Sequence, residues 1–213
     1  MTTARTRHNY TGTSVAERQI ERRALFIEAG LTVFAEKSFA NSSLTDVCAA
    51  AGLSRRQFYE QFAGREELLV AVYDTVQGKA RDAVAAALAA AETDDLRALI
   101  DAAVRAYTTA ITDDIRCAKV AFVEIVGVSP AIEEHRAQVR DRWGEVVAAI
   151  AAGREGVRVP PGGWRVSMAA FIGAVNGAVH QWSLDDPRPP VDELVEVFST
   201  LLNALTTAEP PGR

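Results

Sequence analysis

Apolar residues recur at the spacing of an α-helix along nearly the whole chain, and this periodicity constrains the fold more than any other feature. Between Leu96 and Ile111, apolar side chains fall at positions i, i+3, i+4, i+7, i+8, i+11 and i+15, which is typical of an amphipathic helix. No convincing alternation of apolar and polar residues competes with this pattern, and no segment repeats at a fixed period. The sequence therefore predicts an all-α fold.

Glycine, proline and capping residues divide the chain into about nine predicted helices. The first helix carries the apolar stripe Ile20, Ala24, Ile27, Leu31 and Phe34. The later helices are predicted at about residues 44–50, 55–61, 66–90, 96–111, 116–126, 130–150, 164–184 and 194–205. Three short helices are thus followed by longer ones.

Composition excludes several functional classes. Of the 213 residues, 48% are hydrophobic and 24% are charged, as in soluble globular proteins. No apolar run reaches the length of a membrane span and the polar first residues lack a secretory signal, so we expect a cytoplasmic protein with no membrane partner. Cys48 and Cys117 form neither a metal-binding motif nor a disulfide framework. Because no phosphate-binding glycine loop or nucleophile–base pair occurs, we expect no cofactor, no metal and no enzymatic activity.

Charge is distributed unevenly along the chain. The net charge is −5, but residues 1–65 hold nine Arg or Lys against six Asp or Glu, a net +3, so the remaining residues carry −8. A basic end on an acidic body is typical of a phosphate-facing module joined to a part that does not bind phosphates. Since many soluble proteins show an asymmetry of this size, the pattern supports nucleic-acid binding only weakly.

Two short predicted helices joined by a turn at Gly52 have the spacing of a helix-turn-helix. In that motif the second helix enters the major groove and its first turn faces the base edges. The first turn here carries Ser54, Arg55, Arg56 and Gln57. Guanidinium and amide groups pair with guanine or adenine edges, or bind phosphates. Tyr59 and Arg65 lie farther along, where phosphate contact is expected.

The surrounding residues favour DNA contact over the alternative of a merely solvated helix start. The run SLTDVCAAAGLSRRQFYEQFAGREELLVAVYD, residues 43–74, resembles the signature of the TetR family of transcriptional regulators. The matching features are a Ser before an Asp-hydrophobic-Ala helix, an Ala-Gly-hydrophobic-Ser turn, Tyr-x-x-Phe, and an Arg-Glu-x-Leu helix start. The resemblance covers about residues 18–76 and implies a helix-turn-helix domain on a helical, dimerising body.

On this resemblance the chain divides into two domains with short tails. We assign a flexible tail to 1–16, the DNA-binding domain to 17–77 with its helix-turn-helix at about 43–62, the effector-binding and dimerisation domain to 78–207, and a C-terminal tail to 208–213. Residues 171–195 are similar to the eighth and ninth helices of relatives. Arg5, Arg7 and His8 leave two alternatives, a minor-groove arm or a disordered tail, of which the tail is favoured.

The resemblance also implies DNA contacts residue by residue. It implies phosphate contacts by Ser42 or Ser43, Tyr59 and Arg65, a DNA contact by Arg55, and base reading by Gln57. Three positions depart from the family pattern. Arg56 stands where Gly is common, which adds a guanidinium to the recognition helix and favours a different operator. Ser38 stands near a frequent Gly, so the turn after the first helix is expected to differ, and Glu60 replaces a frequent aromatic residue.

The last two helices are predicted to form a homodimer. A helix-turn-helix monomer makes few contacts, so such proteins usually bind as dimers to two half-sites of a pseudo-palindromic operator. The expected interface is the small-residue stripe and apolar face formed by Ala170, Gly173, Ala174, Gly177, Leu194, Val197, Phe198, Leu201 and Leu205. The alternative is that both helices bury these faces within one chain.

The resemblance further implies a small-molecule effector that binds among the helices of the body. Polar or aromatic residues within apolar helices are the candidates, namely Tyr107, Phe122, Glu124, His135, Trp143, Trp164, Asn176 and His180. Each of them taken singly is more typical of ordinary core or surface. We therefore expect a regulator, most simply a repressor that an apolar or amphipathic effector releases from DNA. The alternatives are an activator, a ligand-independent regulator, and a helical carrier or enzyme without DNA binding.

Overall fold

The computed structural model describes residues 15–154, 157, 159, 160 and 162–207. Within them the chain is all-helical and has no β-strand. The nine α-helices are α1 (Val15–Lys37), α2 (Leu44–Ala51), α3 (Arg55–Tyr59), α4 (Arg65–Ala89), α5 (Leu96–Thr112), α6 (Ile115–Lys119), α7 (Pro130–Ala151), α8 (Gly163–Leu184) and α9 (Val191–Thr207). The predicted all-α fold is confirmed. The helix expected at 116–126 is α6 continued by a π-helical segment, Val120–Glu124.

Side-chain caps set the starts of the helices in the body. The Asp95 carboxylate accepts a 2.9 Å hydrogen bond from the backbone N–H of Ala98 at the start of α5. Asp114 does the same for Arg116 at the start of α6, at 3.0 Å. Pro130 occupies the first turn of α7, where its missing N–H costs no hydrogen bond.

Aromatic side chains hold the three front helices together. Phe26 of α1 meets Phe58 of α3 edge to face, with ring centroids 5.3 Å apart, and Phe62 lies 6.3 Å from Phe26. All three are buried. Helix α4 crosses close to α1 at Gly30, where an added Cβ would lie 3.0 Å from Leu68. A side chain at this crossing would require Leu68 or Val72 to shift.

The apolar stripe predicted for α1 is only partly buried. Leu31 and Phe34 are in the core as expected, but Ile20 is 70% exposed. The buried side of the helix instead runs through Phe26 and Ala29. Helical spacing shows which side chains share a face, but it does not show how far a neighbouring helix extends to cover that face.

The remaining helices form the body. α5 packs between α4 and α9, α7 packs on α8, and α6 with its π-helical continuation lies against α1, α4 and α8. Helix α4 runs without a break across the boundary expected between residues 77 and 78. The helix-turn-helix region and the body therefore share one continuous helix. The division into two domains remains a prediction.

The ends of the described chain bear on the predicted tails. Helix α1 begins at Val15, so residues 15 and 16, assigned to the first tail, are helical. The rest of that tail, with Arg5, Arg7 and His8, and the C-terminal tail 208–213 lie outside the described residues. No helix of the described part combines the length and the apolar character needed to cross a bilayer.

Candidate nucleic-acid interface and ligand cavities

A capping box starts helix α2. The backbone N–H of Asp46 donates to the Ser43 hydroxyl at 3.1 Å, and the backbone N–H of Ser43 donates to the Asp46 carboxylate at 2.9 Å. Lys37 lies 2.6 Å from the same carboxylate. The Lys37 hydrogen bond, with those from Ser43, lowers the pKa of Asp46 to about 2. At neutral pH the carboxylate is therefore charged and fixed at the helix start.

A second capping box starts helix α3. The side-chain oxygen of Gln57 accepts hydrogen bonds from the backbone N–H of Ser54 at 2.9 Å and from its hydroxyl at 2.8 Å. Gly52, in a left-handed conformation with φ of 65°, ends α2 and turns the chain into this helix. The oxygen of Gln57 is thus engaged within the turn, and its amide hydrogens are the groups that can read a base.

The outward face of α3 is cationic and aromatic. The side chain of Arg56 is 90% exposed, and its Nε lies 3.3 Å from Glu60. Arg55 is exposed and makes no hydrogen bond or ion pair with a described residue, and Tyr59 is 57% exposed. On the opposite side Phe58 is buried. The buried phenyl ring anchors the helix, so the two guanidinium groups and the phenol project together on one surface.

Glu60, whose role the sequence left open, ties α3 to α1. Its carboxylate lies 3.7 Å from the Arg22 guanidinium as well as 3.3 Å from Arg56. Next to this pair, Arg23 donates to the backbone oxygen of Gln61 at 3.0 Å and stacks over Phe62 at 4.3 Å. These contacts hold the recognition helix on the first helix.

Ser42 and Arg65, both predicted to bind phosphate, have partners inside the protein. The Arg65 Nη1 donates to the backbone oxygen of Phe39 at 2.9 Å, to the Ser42 hydroxyl at 3.0 Å, and to the Ser42 backbone oxygen. The guanidinium also lies over the Phe39 ring at 4.8 Å. Ser42 is buried. Their phosphate contacts stay predictions, and the structure shows both residues bracing the loop before α2.

The turn after α1 keeps the left-handed geometry that glycine would favour. Ser38 adopts it with φ of 66°. Its hydroxyl accepts hydrogen bonds from the backbone and side-chain N–H groups of Asn41, at 3.3 and 3.0 Å. These bonds offset part of the strain of a non-glycine residue in this region, so the change to Ser has not altered the hand of the turn.

Hydrogen bonds of Phe39 and Arg116 join α1 and the loop after it to α6 and its π-helical continuation. The backbone N–H of Phe39 donates to the Glu124 carboxylate at 2.7 Å. Arg116 donates to Glu28 at 2.8 Å and to Thr32 at 2.7 Å, both on α1. Glu124 was predicted to line the effector pocket, but it does not line either cavity and instead holds the loop that leads into α2.

The larger cavity lies in the body and encloses an empty volume of about 580 Å³, part of it open to solvent. Its wall is formed by helices α4, α5, α7, α8 and α9. The lining residues are Val84, Ile100, Ala103, Val104, Tyr107, Trp143, Val146, Val147, Ile150, Met168, Phe171, Ile172, Val175, Phe198 and Leu202. We call it the apolar cavity. Of the predicted effector residues, it contains Tyr107 and Trp143.

A second cavity of about 360 Å³, again including open space, adjoins the first. Tyr107, Trp143 and Ile172 line both. The other residues of its wall are Tyr73, Gln77, Ala121, Phe122, Arg136, Val139, Arg140 and Asn176. We call it the polar cavity. Phe122 and Asn176 were predicted from the sequence, whereas the charged and amide groups of α4 and α7 were not.

A buried amide organises the boundary between the cavities. The indole N–H of Trp143 donates to the side-chain oxygen of Gln77 at 2.9 Å, and the Tyr107 ring meets the indole edge to face at 5.0 Å. Burial raises the pKa of Tyr73 to about 12 and that of Tyr107 still further. Both phenols are therefore neutral at physiological pH. Gln77 follows Tyr73 by one helical turn, so the two residues lie on the same side of α4. Only the structure shows that this side of the helix is buried.

The other predicted effector residues lie outside both cavities. Trp164 is half-buried against the core near the start of α8, and His180 is exposed on the same helix. His135 contacts Asp74 at 2.7 Å. These residues were predicted because they are aromatic within apolar helices. They lie outside the cavities because a different side of each helix lines them.

The predicted dimer residues divide between an exposed face and the core of one chain. Those that are exposed are Ala170, Gly173, Ala174, Gly177, Val197 and Leu201. Leu205 is half-buried, whereas Leu194 and Phe198 are buried within the chain. Both belong to the hydrophobic core, where Phe198 meets Phe171 of α8 edge to face, and they correct that part of the prediction. An added Cβ at Gly173 or Gly177 would meet no described atom within 4 Å.

Two protein-family models match this chain, one over the helix-turn-helix and the other over the body that contains the cavities. The model of bacterial regulatory proteins of the tetR family matches residues 26–72. The MftR C-terminal domain matches residues 94–206, which is more than half of the chain. The first match contains the capped helices α2 and α3, and the second contains most of the helices that enclose the cavities.

Individual proteins agree with these matches. The HTH-type transcriptional regulator CymR of Pseudomonas putida is 27% identical over 149 residues, which are 66% of this chain and 72% of that protein. The fatty acid degradation regulator FadR of Bacillus halodurans superposes with a TM-score of 0.72 at 16% identity, over 85% of this chain and 94% of that one.

A second FadR, from Bacillus subtilis and solved in complex with stearoyl-CoA, gives a TM-score of 0.71 at 15% identity, over 88% and 99% of the two chains. The structural matches establish the fold, and the family matches cover both the helix-turn-helix and the body. The chain therefore belongs to the tetR family of bacterial regulatory proteins and is a transcriptional regulator with a helix-turn-helix.

Proposed function

We propose that the protein is a homodimeric repressor that a small apolar or amphipathic effector releases from its operator. One observation carries this proposal. The π-helical segment Val120–Glu124 has Phe122 in the wall of the polar cavity and, two residues later, Glu124 on the backbone N–H of Phe39. A ligand that moves this segment also moves the loop before the helix-turn-helix.

DNA recognition is assigned to the exposed first turn of α3. In this proposal Arg55, Arg56 and the amide hydrogens of Gln57 contact base edges, and Tyr59 and the exposed N-cap Ser54 contact the DNA backbone. Arg55 and Arg56 are exposed, so operator binding does not require a buried group to be uncovered.

Dimerisation is assigned to the exposed stripe of α8 and α9. Ala170, Gly173 and Gly177 leave room for a second helix at close range, and Val197 and Leu201 supply exposed apolar area beside them. Two copies of α8 and α9 would form a four-helix bundle. The bundle would set the distance between two recognition helices at about 34–36 Å, the separation of half-sites one turn apart.

Release requires an effector that binds one state better than the other. The π-helical segment suits this role because α6 is also fixed to α1 through Arg116, Glu28 and Thr32. A shift at Phe122 would therefore be carried to α1 and to the Phe39 loop together. The stearoyl-CoA complex of a protein with the same fold supports an effector with an apolar part.

An activator and a ligand-independent regulator remain the alternatives of the same fold. A promoter fusion distinguishes them once a binding site has been selected from random duplexes with the purified full-length protein. Expression from a promoter that overlaps the site should fall when the protein is present. A rise in expression would favour the activator, and failure to select any site would contradict the DNA-binding assignment itself.

A further inference from the structure

Two arginines of α7, Arg136 and Arg140, line the polar cavity. Of these two, only Arg136 forms an ion pair with a described residue. The Nη1 of Arg136 donates to both carboxylate oxygens of Glu133, at 2.8 and 2.7 Å, and its side chain is only 14% exposed. The charge of Arg136 is therefore balanced within its own helix. Glu133 is in turn held by the backbone N–H of Gly127 at 2.7 Å.

Arg140, one helical turn later, has no such partner. It forms no ion pair with a described residue, and its Nε is buried without a hydrogen-bond partner there. A buried donor of a charged group that lacks an acceptor is unfavourable. Arg140 lines the polar cavity, so a molecule in that space could supply the missing acceptor.

The neighbouring groups define the rest of the ligand. The polar cavity shares Tyr107 and Trp143 with the apolar cavity, whose remaining wall is aliphatic and aromatic. An occupant that reaches both spaces has an acceptor at one end and a hydrocarbon body at the other. Burial keeps the Tyr73 and Tyr107 phenols neutral, so they add no opposing negative charge near the head group.

We infer that the effector is a hydrophobic carboxylate, with its carboxylate on Arg140 and its hydrocarbon chain in the apolar cavity. This inference rests on the proposed function and names the chemical class of its effector. Arg140 forms no ion pair or side-chain hydrogen bond with a described residue, so its guanidinium can pair with one negative charge. The planar fork of arginine also matches the two oxygens of a carboxylate. A coenzyme A thioester carries its negative charge on phosphates and has no free carboxylate at the end of its acyl chain.

The test is calorimetric titration of the full-length protein with decanoate, below its micelle-forming concentration, beside decanol and decanoyl-CoA. We expect decanoate to bind more tightly than either, since only decanoate places a carboxylate at Arg140. Arg140→Gln should weaken decanoate by about tenfold to a hundredfold, the usual effect of a hydrogen bond to a charged group. It should leave decanol binding unchanged, which also shows that the variant is folded.

Arg142→Gln is the matched control because it removes the same charge from an exposed position of the same helix. It should bind decanoate as the wild type does. Equal binding of decanoate and decanol, tighter binding of decanoyl-CoA, or an Arg140→Gln variant with unchanged decanoate affinity would each overturn the inference. So would a protein that selects an operator but binds no decanoate, and this outcome would leave the proposed function standing. Decanoate binding without operator binding would remove the proposed function alone.

Discussion

The Glu124 carboxylate accepts a 2.7 Å hydrogen bond from the backbone N–H of Phe39, 85 residues earlier in the chain. Phe39 in turn offers its backbone oxygen to Arg65 at the start of α4, at 2.9 Å. One residue of the loop before α2 is therefore held from both sides. Its two supports are the π-helical segment beside the cavity and the helix that runs into the body.

Glu124→Ala should loosen this loop without unfolding the protein. A hydrogen bond to a charged group contributes about 1.5–3 kcal/mol, so the Phe39 amide should exchange with solvent about tenfold faster or more. Hydrogen exchange followed by NMR measures this amide directly. Glu124→Gln keeps an acceptor oxygen, so its Phe39 amide should exchange at a rate between those of the wild type and Glu124→Ala. Unchanged exchange in Glu124→Ala would show that the bond does not restrain the loop.

Gln57→Glu separates the two tasks of this side chain. A glutamate at this position still completes the capping box with Ser54, so thermal stability should remain close to that of the wild type. The substitution removes the amide hydrogens and places a negative charge toward the DNA, so operator affinity should fall by about 1–3 kcal/mol. Preference at one operator position should relax. An undiminished preference would place base reading elsewhere on α3.

Arg56→Ala should likewise reduce affinity by about 1–3 kcal/mol and relax selection at one base pair, if its guanidinium reads a base. Its ion pair with Glu60 is exposed, and pairs of this kind contribute little to stability. The measurement is a fluorescence-anisotropy titration on the operator and on duplexes changed at single positions. Arg97→Ala, which removes an exposed arginine of the body, should leave both affinity and preference as they are.

Gly173→Leu and Gly177→Leu should produce folded monomers that bind the operator poorly. An added Cβ at either glycine meets no described atom within 4 Å, so we expect the added side chains to be tolerated in one chain and to clash with a second copy. Analytical ultracentrifugation and circular dichroism report the assembly and the fold separately. Ala85→Leu, at an exposed position of α4, is the control and should remain dimeric. Dimers in all three variants would move the interface away from α8.

The stability contributed by Asp46 should depend on pH in a defined window. Its pKa is lowered to about 2 in the folded protein, first by the Lys37 hydrogen bond and then by those from Ser43, whereas an unfolded Asp titrates near 3.9. The folded pKa is the lower one, so the contribution is complete above about pH 4 and is lost as pH falls toward 2. Denaturation of wild type and Asp46→Asn should differ at pH 6 and converge toward pH 2. A constant difference would contradict the assignment.

The local features of this protein could be predicted from the sequence because they depend on neighbours in the chain. Ser43 and Ser54 each sit three residues before the side chain that completes their capping box, and Gly52 provides the left-handed turn between the two helices. Such patterns lie within a few residues. The all-α fold and the helix-turn-helix therefore followed from spacing and motif.

Contacts between distant residues could not be predicted in the same way. The partners of Arg65 at Phe39 and Ser42 were not expected because they meet it only when α4 folds back on the loop. Gln77 was missed because Trp143 lies 66 residues away. Glu124 was expected in the pocket because it is a polar residue within an apolar helix, and its partner, the backbone N–H of Phe39, lies 85 residues away.

If α3 reads a particular DNA sequence, a titration of the full-length protein with two duplexes will show it. One duplex carries the selected operator and the other carries its bases in scrambled order, both at a salt concentration low enough to preserve phosphate contacts. We expect the operator to bind about a thousandfold more tightly or more, and Arg55→Ala to reduce that ratio. Equal affinities for the two duplexes would show that α3 does not read the base sequence.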